Sequence, residues 1–202
     1  QPVYKHKGLM MLSLKIQGSS GHSSNPALGA NAIDGSGIVI EQLLKFRQEL
    51  ANRYQDPGFT VASPTLNLGC IHGGDNPNRI CDHVDMAFDV RVLPGMNNTN
   101  IMSEIESRLT PLLADQGLSM SLELFHEPLP PFQTEGDELL AATRELTGCE
   151  PKTVAFATEA PFLSQLGMQT VVLGPGSIDQ AHQPNEFVEL RQIEPTIAIL
   201  RG

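Results

Sequence analysis

Tryptophan is absent from this 202-residue chain, and aromatic residues make up only 5% of it. Its core must therefore be aliphatic, and with 40% hydrophobic residues there is enough to bury one without disulfide or metal staples. Cysteine is nearly as scarce. Cys70, Cys81 and Cys149 are an odd, scattered set without paired spacing, which excludes a disulfide framework or a zinc knuckle and fits a reduced, cytoplasmic chain. Positive charge is also short: 13 Lys and Arg against 23 Asp and Glu give a net charge of −10, with no local basic cluster. A surface that tracks phosphates is excluded, so no nucleic-acid partner is expected, and the acidity reads as solubility. No apolar run reaches the length of a bilayer span, so no membrane partner is expected either.

What is present begins with a strand, "MLSLKI", carrying Leu12, Leu14 and Ile16 on one face. A loop dense in Gly, Ser and Asn follows, "QGSSGHSSNPALGAN". A helix capped by Asn31 or Asp34 comes next, with Ile33, Ile40, Leu43, Leu44 and Leu50 as its apolar stripe. "TLNLGCI" is a second strand with Leu66, Leu68 and Cys70 alternating, and "HGGDNPNRI" is turn chemistry. "VDMAFDVRV" is the clearest strand, with Val84, Met86, Phe88, Val90 and Val92 on one side. A second helix, opened by Asn98 or Thr99, carries Ile101, Ile105, Leu109 and Leu112, and "LSMSLELF" is the fourth strand. The order βαββαβ predicts a ferredoxin-like domain, one antiparallel sheet with two helices on one face.

Prolines 128, 130 and 131 mark a boundary, and beyond it the pattern changes. "DELLAATRELTG" reads as a helix, "KTVAFA" as a strand, "EAPFLSQLG" as a short helix and "TVVLG" as a strand. "RQIEPTIAILRG" reads as a last helix broken or kinked at Pro195. Such alternation is α/β with a parallel sheet. Parallel sheets need both faces covered, so this stretch is expected to be part of a larger sheet.

Several residues are candidates for chemistry. His182, in "GPGSIDQAHQPNEF", lies just after the carboxyl end of a predicted strand, where open α/β sheets hold ligands. It reads as a metal ligand or as a histidine that satisfies loop backbone groups. Glu186, four residues on, could ligate or support. His22 stands in the loop after the first strand beside Ser23 and Ser24, but the strained serine elbow is missing there, so serine hydrolysis is set aside. Asn78 lies in a turn. Arg91 shares the outward period of its strand with Asp85 and Asp89, which makes surface pairing its default. Thr158 and Glu159 sit at a strand-to-helix switch, where Glu159 could hold a cation or favour the helix N-terminus.

Taken in order, "GSSGHSSNPALGANAI", "GGDNPNRICDHVDMAFDVR", "ATEAPF" and "LGPGSIDQAHQPNEF" resemble the di-zinc amidohydrolase family. That family includes carboxypeptidase G-type enzymes, aminoacylases and succinyl-diaminopimelate desuccinylases, and its acetylornithine deacetylase branch is the nearest in pattern. The resemblance implies three parts: residues 1–8 as the end of a catalytic-domain segment, 9–127 as a lid and dimerisation domain, and 128–202 as the C-terminal part of the catalytic domain. It implies His182 as a zinc ligand. His22 becomes the lid histidine that reaches the partner subunit's active site and polarises the scissile carbonyl. Asn78 and Arg91 would hold the substrate carboxylate or line the closed cleft. Thr158 and the Gly174–Gly176 turn would line the substrate, and Glu159 would meet the ornithine ammonium.

The implied chemistry is hydrolysis of the acetyl amide of N2-acetylornithine, in arginine biosynthesis, by a homodimer. Two zinc ions, or cobalt, would activate a water whose proton an upstream glutamate takes. The family's other metal ligands and that glutamate do not occur here, and the chain starts with "QPVYKHKG" rather than methionine. The expectation is a piece of a longer enzyme, inactive alone. A desuccinylase, another acyl amino acid amidohydrolase, or a dimerisation module without chemistry remain open as alternatives.

Overall fold

A computed structural model describes residues 1–181 and 183–201. In chain order its elements are β1 (Val3–His6), β2 (Met10–Gln17), β3 (Gly21–His22), α1 (Ala32–Arg53), β4 (Thr65–Gly73), β5 (Arg79–Ile80) and β6 (His83–Arg91). There follow α2 (Asn98–Ala114), β7 (Ser119–Leu124), β8 (Phe132–Gln133), α3 (Glu138–Thr147), β9 (Lys152–Val154), α4 (Ala160–Gln165) and α5 (Ile193–Arg201). They divide into two compact units. The larger comprises Lys7–Pro131 with Ala155–Ala157, and the smaller comprises Gln1–His6, Phe132–Val154 and Thr158–Gly202.

The larger unit has the βαββαβ order expected of a ferredoxin-like domain. Its sheet runs β4-β6-β2-β7 with every neighbouring pair antiparallel. Strand alternation decides which face is covered: Leu12, Leu14 and Ile16 of β2 and Val84, Met86, Phe88 and Val90 of β6 are all buried. Against them pack Val39, Leu43, Phe46 and Leu50 of α1 and Ile101, Ile105, Leu109 and Leu113 of α2. Each helix starts on an asparagine whose side chain accepts a backbone N–H: Asn31 from Ile33, and Asn97 from Asn100. The second cap is thus one residue ahead of the predicted Asn98. On the exposed side the helices are tied by Arg53 and Arg108, which both bond Glu104, with Arg108 also bonding Glu49.

Three faces differ from the expectation. In α1 the core stripe is Ala32, Ser36, Val39, Leu43, Phe46 and Leu50. Ile33 is 48% exposed, and Ile40 and Leu44 are only half-buried, so the helix carries a second apolar stripe beside the first. In β4 a bulge between Leu68 and Cys70 adds Gly69 to the strand. The extra residue turns Cys70 onto the outer face, where it is exposed opposite Ala87, and sets His72 opposite Asp85. In α2 the last core residue is Leu113 rather than Leu112, in step with Leu109 four residues earlier.

The smaller unit holds a three-stranded mixed sheet, β8-β1-β9, in which β1 pairs parallel with β9 and antiparallel with β8. "TVVLG", expected as a full strand, contributes a single bridge, Val3 with Val172. α3 ends on Gly148 in the left-handed conformation (φ 63°), an αL cap that glycine adopts without a Cβ penalty. Pro195 does not kink α5. It falls in the first turn, where backbone N–H groups have no helical partner to lose. No residue of α5 is fully buried.

The two stripes of α1 should differ in their cost to stability. Leu43→Ala should destabilise the monomeric chain by about 2–5 kcal/mol, while Ile33→Ser should cost about 0.5 kcal/mol or less. Urea denaturation at a monomeric concentration compares them, and equal costs would contradict the assignment of faces.

Candidate active site

In the larger unit the His22 loop grows out of the end of β2. Gly18 N–H donates to Asp82 O at 2.7 Å, and Ser19 and Ala30 exchange backbone hydrogen bonds of 3.0 Å each, closing the loop at its base. Glycine makes that closure possible: a Cβ on Gly18 would stand 2.1 Å from Ala30 O, and one on Gly29 would stand 2.3 Å from Ser19 O. At the loop's far side β3 pairs with β5, His22 opposite Arg79, and Ser23 N–H donates to Asn78 O at 3.1 Å. His22 and Asn78 are therefore backbone neighbours, both exposed. What looked like turn chemistry in "NPNRI" is in part a two-residue strand.

Arg91 stands elsewhere. It ends β6, about 26 Å along the strand from His83 at about 3.3 Å per residue, and its Nε donates to Asp89 Oδ2 at 3.0 Å. Near it is a cation that the sequence did not single out. Lys7 is 2% exposed, its Nζ donates to Val61 O (2.8 Å) and Ser63 O (2.6 Å), and it lies 5.5 Å from the Phe59 ring centroid. Burial pushes its amine down from the ordinary lysine value, the Arg91 charge adds to this, and Asp56 opposes it.

Around the Asn78 turn lie two hollows that share Arg79. One, of about 380 Å³, is bordered by Asp34, Ile80 and Leu118. The other, of about 410 Å³, is bordered by His72, Asp75, Asp82, His83 and Asp85. In the second, His83 Nδ1 bonds Asp82 Oδ1 at 3.1 Å. That bond lifts the His83 imidazole above its ordinary value, helped by the charges of Asp82, Asp85 and Asp75. The same bond holds the Asp82 carboxyl below its own, with smaller help from its backbone hydrogen bond and the charges of His83 and Arg79.

In the smaller unit, Thr158 meets a residue that the sequence reading passed over. His6, at the end of β1, is fully buried; its Nε2 lies 3.0 Å from Thr158 Oγ1 and accepts the Thr158 N–H at 3.3 Å. An amide N–H can only donate, so the proton of neutral His6 is on Nδ1. Thr158 Oγ1 also accepts the Ala160 N–H at 3.2 Å, which starts α4. Glu159 is exposed beside it and makes no capping bond. A Cβ on Gly174 would meet nothing within 4 Å among the described residues. Gly176 has φ +98°, a conformation that favours glycine, and its N–H donates to Gln192 Oε1. His182 lies outside the described residues. Among the described residues no three His, Cys, Asp or Glu side chains are gathered as a metal ion requires, so they do not by themselves build a metal centre.

Residues 4–116 match the family model for the peptidase dimerisation domain of the M20 peptidases. This chain belongs to the M20 family. Its relatives include an acetylornithine deacetylase of Vibrio atlanticus, 43% identical over 98% of this chain and 53% of the relative. One of Vibrio vulnificus is 44% identical over the same shares. The chain spans about half the length of these curated relatives. Among solved structures, an aminohydrolase described as putative, from methicillin-resistant Staphylococcus aureus, aligns with a TM-score of 0.73 at 22% identity, over all of this chain and 52% of that one. A tripeptidase of the same species gives 0.72 at 20% identity, over 98% and 51%. These likenesses give the M20 fold. No helix among the described residues is long and apolar enough to cross a membrane.

The Asp82–His83 pair predicts a pH window. The His83 share of stability is present below its unfolded value near 6.5 and fades as pH rises through the raised folded value. The Asp82 share is present above its unfolded value near 3.8 and fades as pH falls through the lowered folded value. A double-mutant cycle with Asp82→Asn and His83→Gln should therefore show its largest coupling between about pH 4 and 6.5. Coupling that keeps growing above pH 8 would contradict the pair.

Proposed function

We propose that this chain is the lid (9–127) and C-terminal catalytic portion (128–202, with 1–8 ending an earlier catalytic segment) of a longer cytoplasmic M20 hydrolase. That hydrolase removes the acetyl group of N2-acetylornithine, giving ornithine and acetate in arginine biosynthesis. The observation that carries the reading is the likeness to acetylornithine deacetylases, 43–44% identical along 98% of the chain and so across both units. The substrate is a small acyl amino acid, and each chain residue has a chemical task on it. His22 donates an N–H to the scissile carbonyl of the partner subunit's substrate, and in the transition state this becomes a bond to an oxyanion. The amide of Asn78 and the guanidinium of Arg91 hold the carboxylate. Thr158 and the Gly174–Gly176 turn line the cleft, and the exposed carboxylate of Glu159 meets the side-chain ammonium. His182 is a metal ligand. A centre for zinc, or cobalt, would be completed by residues outside it, since those described gather no such set.

Dimerisation through the lid has a physical basis in its surface. The second apolar stripe of α1, Ile33, Ile40 and Leu44, is only partly covered. β4 is a sheet edge with Ile71 50% exposed, and an unpaired strand edge is a template for a second chain.

The test is an assay of the longer enzyme on N2-acetylornithine and on N-succinyl-diaminopimelate. Faster turnover of the first is expected. Preference for the second would move the protein to the desuccinylases, and inactivity on both would leave a dimerisation module. His22→Ala should lower kcat by about 100-fold or more at unchanged metal content; a normal kcat would refute its role. Glu159→Gln should raise KM for N2-acetylornithine more than for an acyl amino acid with a neutral side chain, and equal effects would remove it from recognition.

A further inference from the structure

The His22 side chain is held by its own loop. His22 O accepts the Asn25 N–H at 3.0 Å, which folds residues 22–25 into a β-turn. Inside that turn His22 Nδ1 accepts the Ser24 N–H at 3.1 Å, as an Asx side chain accepts the amide two residues on. Ser24 Oγ lies 2.8 Å from the same nitrogen. The turn is in turn pinned to β5, since Ser23 N–H donates to Asn78 O at 3.1 Å.

The amide decides the chemistry. A backbone N–H has only a proton to offer, so Nδ1 must present its lone pair, and a proton on Nδ1 would face the Ser24 proton. The hydroxyl then points its own proton at that same lone pair. We propose that Ser24 is a positioning residue for His22, its amide and hydroxyl locking the imidazole as the Nε2–H tautomer. The loop thereby presents an N–H donor, rather than an acceptor, to an oxygen of a bound ligand. Among the described residues nothing bonds Nε2, and the ring is exposed. A carbonyl that gains negative charge needs that donor; a ring locked in the other tautomer would offer it a lone pair and repel it.

This inference rests on the reading of His22 as the residue that polarises the carbonyl, and its test separates the two. Long-range ¹⁵N–¹H correlation spectra of this chain, at a pH where the ring is neutral, report which nitrogen carries the proton. The folded chain should show a higher Nε2–H fraction for His22 than the urea-unfolded chain. Ser24→Ala should lower the tautomer ratio by about two- to tenfold, the size of one net hydrogen bond, and Ser24→Thr should restore it. A folded His22 protonated on Nδ1, or a ratio that ignores Ser24→Ala, would overturn the proposal. In the longer enzyme Ser24→Ala should then lower kcat in proportion to the measured loss of the Nε2–H fraction, with KM unchanged and rescue by Ser24→Thr. If the tautomer responds but kcat does not, the lock stands and the catalytic reading of His22 fails.

Discussion

The rest of the larger unit depends on the pairing of β2 with β6. Eight consecutive residue pairs, from Met10 with Val90 to Gln17 with His83, hold the two central strands in one register. Because side chains alternate, that register also decides burial: a slip of β2 by one residue would turn Leu12, Leu14 and Ile16 to solvent while Val84, Met86, Phe88 and Val90 of β6 still faced the helices. The helices pack on the face this creates. The two ends of the same pair then project the candidate residues, Arg91 and Lys7 at one end and the His22 and Asn78 loops at the other.

Polar groups at these ends are held in place by hydrogen bonds and ion pairs. His22 is oriented by Ser24, Arg91 by Asp89, and the Lys7 ammonium by two carbonyls. In the smaller unit His6 and Thr158 do the same for each other. Side chains held in one rotamer lose less on meeting a ligand than mobile ones.

Much of this was legible in the chain because two periods are hard to mistake. The alternation from Val84 to Val92 and the Ile101, Ile105, Leu109 spacing identified β6 and α2, and turn residues separated them. The bulge at Gly69 was not legible, since one extra residue inverts every later side chain without disturbing the count of apolar positions. In α1, Ile33 and Leu44 were read into the core because composition alone cannot tell two apolar stripes from one broad one. His6 and Thr158 are 152 positions apart, and no local pattern links them. His22 and Asn78 were candidates as separate loop residues, and the pairing that joins them involves two-residue strands too short for periodicity to reveal.

The pairing of β3 with β5 brings the His22 loop and the Asn78 turn together in this chain. Native-state amide exchange tests it most directly. Ser23, whose N–H donates to Asn78 O, and Gly18, whose N–H donates to Asp82 O, should be protected well beyond the exposed amides of residues 74–77. Both should lose that protection when the loop base is broken by Gly29→Val. Exchange of Ser23 and Gly18 at unstructured rates in the native chain would mean that the two loops are not held together, and the account of the site would fall with them.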